Sequence, residues 1–386
     1  MQYRNFGKLD QKVSALGFGC MRLPVIDGKS ENIDLPEATR MIRHAIDRGV
    51  TYIDTAYGYH GKMSEVAVGK VLLDGYREKV NLATKLPVWL VNESDDFDVL
   101  LNEQLGKLQT DHVDFYLLHA LNKGSWKKVV ELNLLQRAEA ALADGRIRHI
   151  GFSFHDDHDT FKQIIDGYEK WDFCQIQYNF MDIENQAGTA GLQYAAARGL
   201  GVVVMEPLLG GKLARTVPAI EKIWDIAEIK RQPADWALQW LWNQPEVSVA
   251  LSGMSTMTQV EENLASASAS QVAILRAEEL ELVAQVRETY KQLSPIPCTK
   301  CEYCLPCPNG VAIPRNFDIY NQAVMFNNIE GARGEYKNWV PDPAKAAQCI
   351  ACQDCESKCP QNILISQWMP IVDGVLGQDK PIQMHI

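Results

Sequence analysis

The 386-residue sequence has no uninterrupted apolar run of about 18 residues, the length a helix needs to cross a bilayer, so a membrane-spanning role is not expected. The opening stretch from Met1 to Asp10 holds no apolar segment ending in a small-residue cleavage site, which argues against export and makes the cytoplasm the expected location. Positive charge is also in short supply. With 38 Lys and Arg against 49 Asp and Glu the net charge is −11, and a chain without a basic surface is not built to bind nucleic acid. No Gly-x-Gly-x-x-Gly run follows the first β-rich segment, so a Rossmann-type dinucleotide site has no support. No low-complexity segment and no internal repeat interrupt the pattern. Cysteine is nearly missing from the first three quarters, where only Cys20 and Cys174 occur, and both read as small buried hydrophobes.

What is present is a rhythm. Eight short β-rich runs, Leu16–Gly19, Tyr52–Asp54, Asn81–Lys85, Val113–Leu118, His149–Ser153, Phe173–Gln177, Gly201–Glu206 and Val247–Leu251, alternate with helical periods such as Val99–Leu108 and Leu192–Ala197. Eight βα units close a barrel, so the expected fold is α/β, a (β/α)8 TIM barrel. Before it, Gln2–Arg4 and Lys12–Ser14 flank a polar turn at Lys8-Leu9-Asp10, the pattern of a hairpin that plugs the barrel's lower end. After it come an amphipathic helix, Glu278–Leu293, and the breaker Ser294-Pro295-Ile296-Pro297. The expected domains are therefore 1–293 and 294–386.

The remaining eight cysteines crowd into the second domain as Cys298-x2-Cys301-x2-Cys304-x2-Cys307-Pro and Cys349-x2-Cys352-x2-Cys355-x3-Cys359-Pro. These are two copies of the bacterial ferredoxin run, whose clustered soft thiolates hold a cuboidal cluster and whose fourth cysteine ligates the other cluster. Two sets of four ligands predict two [4Fe–4S] clusters. Zinc sites use paired CxxC units across a gap, and disulfides do not suit a cytosolic chain, so both competing readings fit less well. The first run has two residues rather than three before Cys307, which leaves open the cluster that Cys307 serves. Between the runs, Asn316–Phe326 and Pro343–Gln348 read as helix, so this iron–sulfur domain is expected to be mainly helical. The tail from Gln361 to Ile386, rich in Ile, Met and Pro, is expected to pack back on the barrel.

In an eight-fold barrel the chemistry sits where strands end. Asp54, Lys85 and His119 end the second, third and fourth runs, and Tyr59 follows Asp54 by five residues. As single residues they have ordinary uses: Asp54 as a helix N-cap, His119 as a core histidine. As a set they resemble the catalytic tetrad of the aldo-keto reductase family. Gly-Phe-Gly-Cys-Met-Arg-Leu-Pro (17–24), Tyr-Ile-Asp-Thr-Ala-Tyr-Gly-Tyr (52–59) and Gly-Arg-Ile-Arg-His-Ile-Gly-Phe-Ser (145–153) look like the family too, and the cysteine runs resemble its iron–sulfur branch.

The resemblance implies roles. Tyr59 is the general acid toward a carbonyl oxygen, and a free tyrosine titrates near ~10, so it needs help to exchange protons at neutral pH. Lys85 lowers the tyrosine's pKa, Asp54 keeps that lysine charged, and His119 orients the carbonyl. Tyr57 is excluded by the spacing. The nicotinamide cofactor, NADPH or NADH, is implied at Ser153 and Gln175 for the carboxamide, at Gly210, Gly211 and Lys212 for the pyrophosphate, and at Ser252, Gly253, Glu262 and Asn263 toward the adenosine end. Phe154 stands where the family usually has asparagine, Met205 where an aromatic stacks on the nicotinamide, and Gly253 and Gln259 where basic residues meet a 2′-phosphate. Without such a charge NADH is as well accommodated as NADPH.

The expected function is reduction of a small-molecule aldehyde or ketone with NAD(P)H, fused to a one-electron iron–sulfur module serving a ferredoxin-like or flavoprotein partner. The alternatives are an electron-transfer subunit or a nicotinamide-binding redox sensor with little turnover. Trp89 and Trp126 are candidates either for the substrate pocket or for packing.

Overall fold

A computed structural model of the chain describes residues 1–298, 300, 302–359 and 361–384. Cys301, an expected cluster ligand, and Pro360 lie outside the described residues. The chain divides into two compact units, Met1–Ala214 with Arg231–Leu280, and Arg215–Lys230 with Glu281–Ile386.

In the first unit, β1 (Tyr3–Phe6) and β2 (Leu9–Ser14) form an antiparallel hairpin. Its arms are longer and its turn shorter than the sequence pattern suggested, because Gly7 adopts φ +55 and lets the chain reverse at once. Eight parallel strands follow: β3 (Leu16–Gly19), β4 (Tyr52–Asp54), β5 (Asn81–Leu86), β6 (Val113–Leu121), β7 (Ile147–Phe154), β8 (Phe173–Gln177), β9 (Gly201–Met205) and β10 (Val247–Gly253). They close in chain order, with β10 pairing β3. The expected barrel is the observed one.

Side-chain parity explains how this barrel builds a site. Both faces of each strand are covered, so the strands read as continuous apolar runs, but alternate residues go to different places. In β6, Phe115 and Leu117 point inward while Tyr116 and Leu118 face the helices; in β9, Val203 is inward and Val202 and Val204 outward. The inner cluster unites Tyr52, Ala83, Phe115, Phe173, Val203 and Val249 with Phe6 and Val13 of the hairpin, which therefore plugs the barrel as expected. Two residues further along each strand the inward position is Asp54, Lys85, Leu117, Gln175, Met205 and Leu251, and His119 lies one such step beyond Leu117. The polar residues thus form a layer directly above an aromatic floor.

The second unit is mainly helical, with Ile313–Met325, Ile329–Trp339 and Ile365–Gly377 around a core that includes Phe317, Tyr320, Trp368 and Met369. The apolar residues of the tail, Trp368, Met369, Val372 and Val375, are consumed within this unit's own core, where the Tyr320 and Trp368 rings lie 5.8 Å apart. One expectation, a helix over residues 343–348, is corrected here. Residues 343–348 do not form a helix; they make two 3-10 turns, Asp342–Ala344 and Ala346–Gln348, separated by extended Lys345. The N–H of Ala346 goes to Asn316 Oδ1 (2.9 Å) and Tyr336 Oη (3.0 Å) rather than to a helical carbonyl, which holds the segment against its neighbours. The proline-flanked Ile296 is anchored the same way: its N–H donates to Asn321 Oδ1 (3.0 Å) and its carbonyl accepts from Asn321 Nδ2 (2.7 Å). Among the described residues no helix is long and apolar enough to cross a membrane.

Candidate active site and cluster domain

The inward layer above the aromatic floor joins three strand ends. Lys85 Nζ donates to Asp54 Oδ1 at 2.6 Å, to the carbonyl of Thr55 at 2.9 Å and to the Tyr59 hydroxyl at 3.5 Å. Gln175 Nε2, expected against a carboxamide, donates to the other Asp54 oxygen at 3.1 Å. The Tyr59 and His119 rings meet edge to face, 6.1 Å between centroids. The four tetrad residues therefore converge, and Gln175 joins them by fixing the carboxylate. Tyr57 is committed elsewhere, its hydroxyl donating to Glu103 and its ring under the Lys107 ammonium.

Burial dominates the electrostatics. It pushes the Tyr59 phenol above the ordinary tyrosine value; the charge of Lys85 opposes this and Asp54 adds to it. The expected lowering by Lys85 is thus present but outweighed, and Tyr59 holds its proton firmly. Burial alone would lower Lys85, yet Asp54 and then Tyr59 more than offset it, so the ammonium is retained. Burial, reinforced by Lys85 and His155, holds His119 well below the usual histidine value, so its imidazole is neutral near pH 7. Its Nδ1 is buried with no hydrogen-bond partner among the described residues. A neutral imidazole beside a protonated phenol and a fixed ammonium can donate hydrogen bonds to one oxygen without carrying charge of its own.

Around this centre the other expected residues are spread along the rim. Ser153 Oγ accepts the N–H of Ala120, next to His119, at 2.7 Å. Met205 ends β9, half-buried. Asn263 Nδ2 donates to Ser252 Oγ at 2.9 Å, and Glu262 is exposed on the same helix, Met257–Ala269. Gln259 is used as a cap: its Oε1 accepts the N–H of Ser255 at 2.8 Å. Gly210 and Gly211, in the turn that also carries Lys212, have φ of +65 and +90, and a β-carbon built on Gly211 would meet nothing within 4 Å. That bare, open backbone beside a strand end suits a phosphate-bearing ligand, so the residues present fit a nicotinamide dinucleotide. Trp89 stands over His119, 5.1 Å between rings, and is half exposed, which makes it a site residue; Trp126 instead packs on Trp171. Cys20 and Cys174 are fully buried, and burial raises both thiols far above the ordinary range, as small hydrophobes should behave.

One network was not legible in the sequence. Fully buried Glu65 accepts Thr84 Oγ1 at 2.7 Å and Gln104 Nε2 at 2.6 Å, and the same Gln104 nitrogen donates to the carbonyl of Lys85 at 3.0 Å. It fixes the backbone from which Lys85 projects. In the sequence Glu65 is only an acid in a helix's first turn, a common surface feature.

In the second unit, Cys298 and Cys304 of the first cysteine run line one pocket with Cys359 of the second, between the apolar side chains of Ile313, Phe317, Ile363 and Ile365. Cys355 is raised to about 11, chiefly by burial, with Cys304 and Cys349 near enough to contribute. Soft sulfur donors drawn from both runs into an apolar pocket fit an iron–sulfur cluster, and Cys359 sits with the other run as the ferredoxin pattern requires. Among the described residues no three such side chains close on a single-ion site, and a cuboidal cluster spaces its thiolates more widely than one ion does.

Comparison with known proteins agrees with both halves. Residues 15–283 match the aldo/keto reductase family and residues 297–364 match a 4Fe-4S dicluster domain. L-galactose dehydrogenase of Arabidopsis thaliana is 27% identical over 318 residues, covering 76% of this chain and 97% of that protein. An uncharacterized oxidoreductase of Bacillus subtilis is 28% identical over 306 residues, covering 68% of this chain and 90% of its own. Among solved structures, the holo form of an aldo-keto reductase from Bacillus halodurans superposes with a TM-score of 0.62 at 25% identity, covering 74% of this chain and 96% of its own. The chain belongs to the aldo/keto reductase family of oxidoreductases and carries a C-terminal 4Fe-4S domain.

Proposed function

We propose that residues 1–293 reduce an aldehyde or ketone with NADPH or NADH in the cytoplasm, and that residues 294–386 hold two [4Fe–4S] clusters that exchange single electrons with a ferredoxin-like or flavoprotein partner. The observation that carries the first part is the chain from Asp54 through Lys85 to Tyr59, beside a neutral His119. Bound NAD(P)H supplies the hydride. Tyr59 delivers a proton to the carbonyl oxygen, so that carbonyl, nicotinamide hydride and proton give an alcohol and oxidised nucleotide. Lys85 carries a fixed positive charge next to the phenol and so limits the cost of phenolate formation; Asp54, itself held by Gln175, keeps that ammonium in place. His119 donates a hydrogen bond to the same carbonyl oxygen and orients it, with Trp89 forming an apolar wall. Gly210, Gly211, Lys212, Ser252 and Gly253 receive the nucleotide along the rim.

The test is anaerobic purification with iron and sulfide analysis, followed by NADH and NADPH oxidation against a panel of aldehydes and ketones, with Tyr59→Phe alongside. Turnover that falls by about 10²-fold or more in Tyr59→Phe supports the reading. A fully loaded protein with no turnover on any carbonyl overturns it in favour of an electron-transfer or sensing role.

A further inference from the structure

Residues 55–64 carry the chain from the end of β4 to the next helix, Ser64–Val71, with Tyr59 near the tip of the loop they form. The base of this loop is tied: Thr55 Oγ1 and Ser64 Oγ lie 2.8 Å apart, and Ser64 Oγ donates to the carbonyl of Cys20 at 2.9 Å. The tip is bent. His60, Gly61 and Lys62 follow Tyr59 with φ of +52, +59 and +75, the left-handed region, which crowds the β-carbons of His60 and Lys62. Such a backbone persists only where its surroundings fix it. Those surroundings include a small hairpin between β3 and the helix Leu35–Asp47, in which Val25 bridges Ile33 and the N–H of Ile26 donates to the carbonyl of Asn32 at 2.8 Å.

The His60 ring, 7% exposed, joins the root of that hairpin to its tip. Its Nε2 accepts the N–H of Leu23 at 3.1 Å, and its Nδ1 lies 2.6 Å from the carbonyl oxygen of Ser30. A backbone N–H only donates and a carbonyl only accepts, so one ring nitrogen offers a lone pair and the other a proton: the neutral imidazole with its hydrogen on Nδ1. Lysine and arginine have no acceptor and an ionised carboxylate has no donor, so none of them could serve both partners. A β-carbon built on Gly61 would meet Glu31 Cβ at 3.4 Å, so the loop lies close against the hairpin. The reach to the reacting groups leaves little slack. The Tyr59 hydroxyl is 3.5 Å from Lys85 Nζ, the far limit of a hydrogen bond, and a small outward drift of the loop separates them.

We propose that His60 is a positioning residue for Tyr59: its ring pins the tip of the loop to the hairpin of residues 23–33 and so keeps the phenol in reach of Lys85 and of a bound carbonyl. This rests on the reduction reading above. Placement matters more than affinity here. Proton delivery needs a hydrogen-bond distance between phenol and carbonyl oxygen, whereas nucleotide and substrate meet the other walls of the mouth unchanged. The signature of a freed loop is therefore a loss in kcat with KM kept.

The experiment compares the iron-loaded wild type with His60→Gly and His60→Asn, by steady-state kinetics on a carbonyl that the wild type reduces and by hydrogen–deuterium exchange of residues 21–34 and 55–64. Glycine accepts the left-handed backbone but makes neither bond; asparagine also accepts it and can still donate to Ser30. His60→Gly is expected to lose on the order of ten- to a hundredfold in kcat with KM within about twofold, and to exchange faster in both segments, while His60→Asn recovers part of each change. Melting temperature and iron content report folding, and His60→Asn, the milder change, carries the same comparison with the wild type if the glycine variant does not fold. Wild-type kcat in His60→Gly overturns the inference, and so does a loss carried by KM alone. If the wild type reduces no carbonyl, the reduction reading fails by itself; exchange then decides whether His60 holds the loop, and unchanged exchange in His60→Gly overturns that as well.

Discussion

Lys85 Nζ lies 2.6 Å from Asp54 Oδ1, with the lysine side chain 1% and the aspartate side chain 4% exposed. An ion pair so thoroughly removed from water depends on both members, because either one alone is an uncompensated buried charge. Lys85→Met should therefore destabilise the protein by about 3–5 kcal/mol, and combining it with Asp54→Asn should restore much of that. Denaturant unfolding followed by tryptophan fluorescence measures both; a double variant no more stable than Lys85→Met would show that the charge of Asp54 is not the source of the loss.

The direction of the Tyr59 shift sets a pH profile. A general acid must be protonated to act, and burial holds the Tyr59 proton beyond the ordinary value of 10.0. Carbonyl reduction should accordingly stay level through the mildly alkaline range and decline only above about pH 10. Alcohol oxidation, which needs the phenolate, should rise over the same span. Lys85→Met removes the main influence that lowers Tyr59, so its residual activity should decline at still higher pH. A reduction limb that falls near neutrality would assign the acid to another group.

His119 makes a separate prediction about stability. Its folded value lies well below 6.5, the value in the unfolded chain, so above that pH both states are neutral and nothing is lost. Below it the unfolded chain takes up the proton first, and stability falls with pH until the folded protein also titrates, at most by about 1.4 kcal/mol per pH unit. Replacing His119 with Gln should remove that share of the acid sensitivity. Melting temperatures of the two proteins recorded from pH 7.5 downward should converge; parallel curves would place the acid-sensitive group elsewhere.

The cysteine arrangement predicts paired lesions. Since Cys359 shares a pocket with Cys298 and Cys304, Cys359→Ala and Cys304→Ala should damage the same cluster, and Cys355→Ala the other. Iron content should drop from about eight toward about four per chain in each case, and the paramagnetic signal of the surviving reduced cluster should be common to the first two variants and different in the third. If Cys359→Ala instead matches Cys355→Ala, each run keeps its own four ligands.

Asn321 offers a test away from sulfur. It satisfies both backbone groups of Ile296, and the carbonyl of Ile296 also accepts the N–H of Cys298 at 2.7 Å. Asn321→Ala strands the buried N–H of Ile296, at a cost of about 1–3 kcal/mol, and loosens the entry to the first cysteine run. Iron should be lost faster from this variant under chelator than from the wild type, while nucleotide binding stays unchanged.

The sequence was most legible where a short-range rule fixes the answer. The ends of three successive β-rich runs picked out Asp54, Lys85 and His119 as a set, and cysteine spacing announced an iron–sulfur domain. It was less legible where long-range partners decide. His149–Ser153 is only the middle of β7, whose ends at Ile147 and Phe154 are set by pairing with Val113 and Leu121. The helical pattern of residues 343–348 gives way because Asn316 and Tyr336 take the Ala346 N–H. The sign of the effect of Lys85 on Tyr59 follows from charge, but burial, which outweighs it, is a property of the closed barrel. Glu65 carries no local signature, since it gains its meaning from Gln104, Thr84 and the backbone of Lys85.

The hairpin that fills the barrel floor has a consequence for synthesis. Arg4 donates to the carbonyls of Trp242, Gln244 and Val247, and the N–H of Lys8 to the carbonyl of Gly199. The hairpin thus leaves the ribosome some 200 positions before its bonding partners do. Until those emerge, Phe6 has no enclosure, and the barrel is sealed only when the hairpin meets the strand that completes the ring.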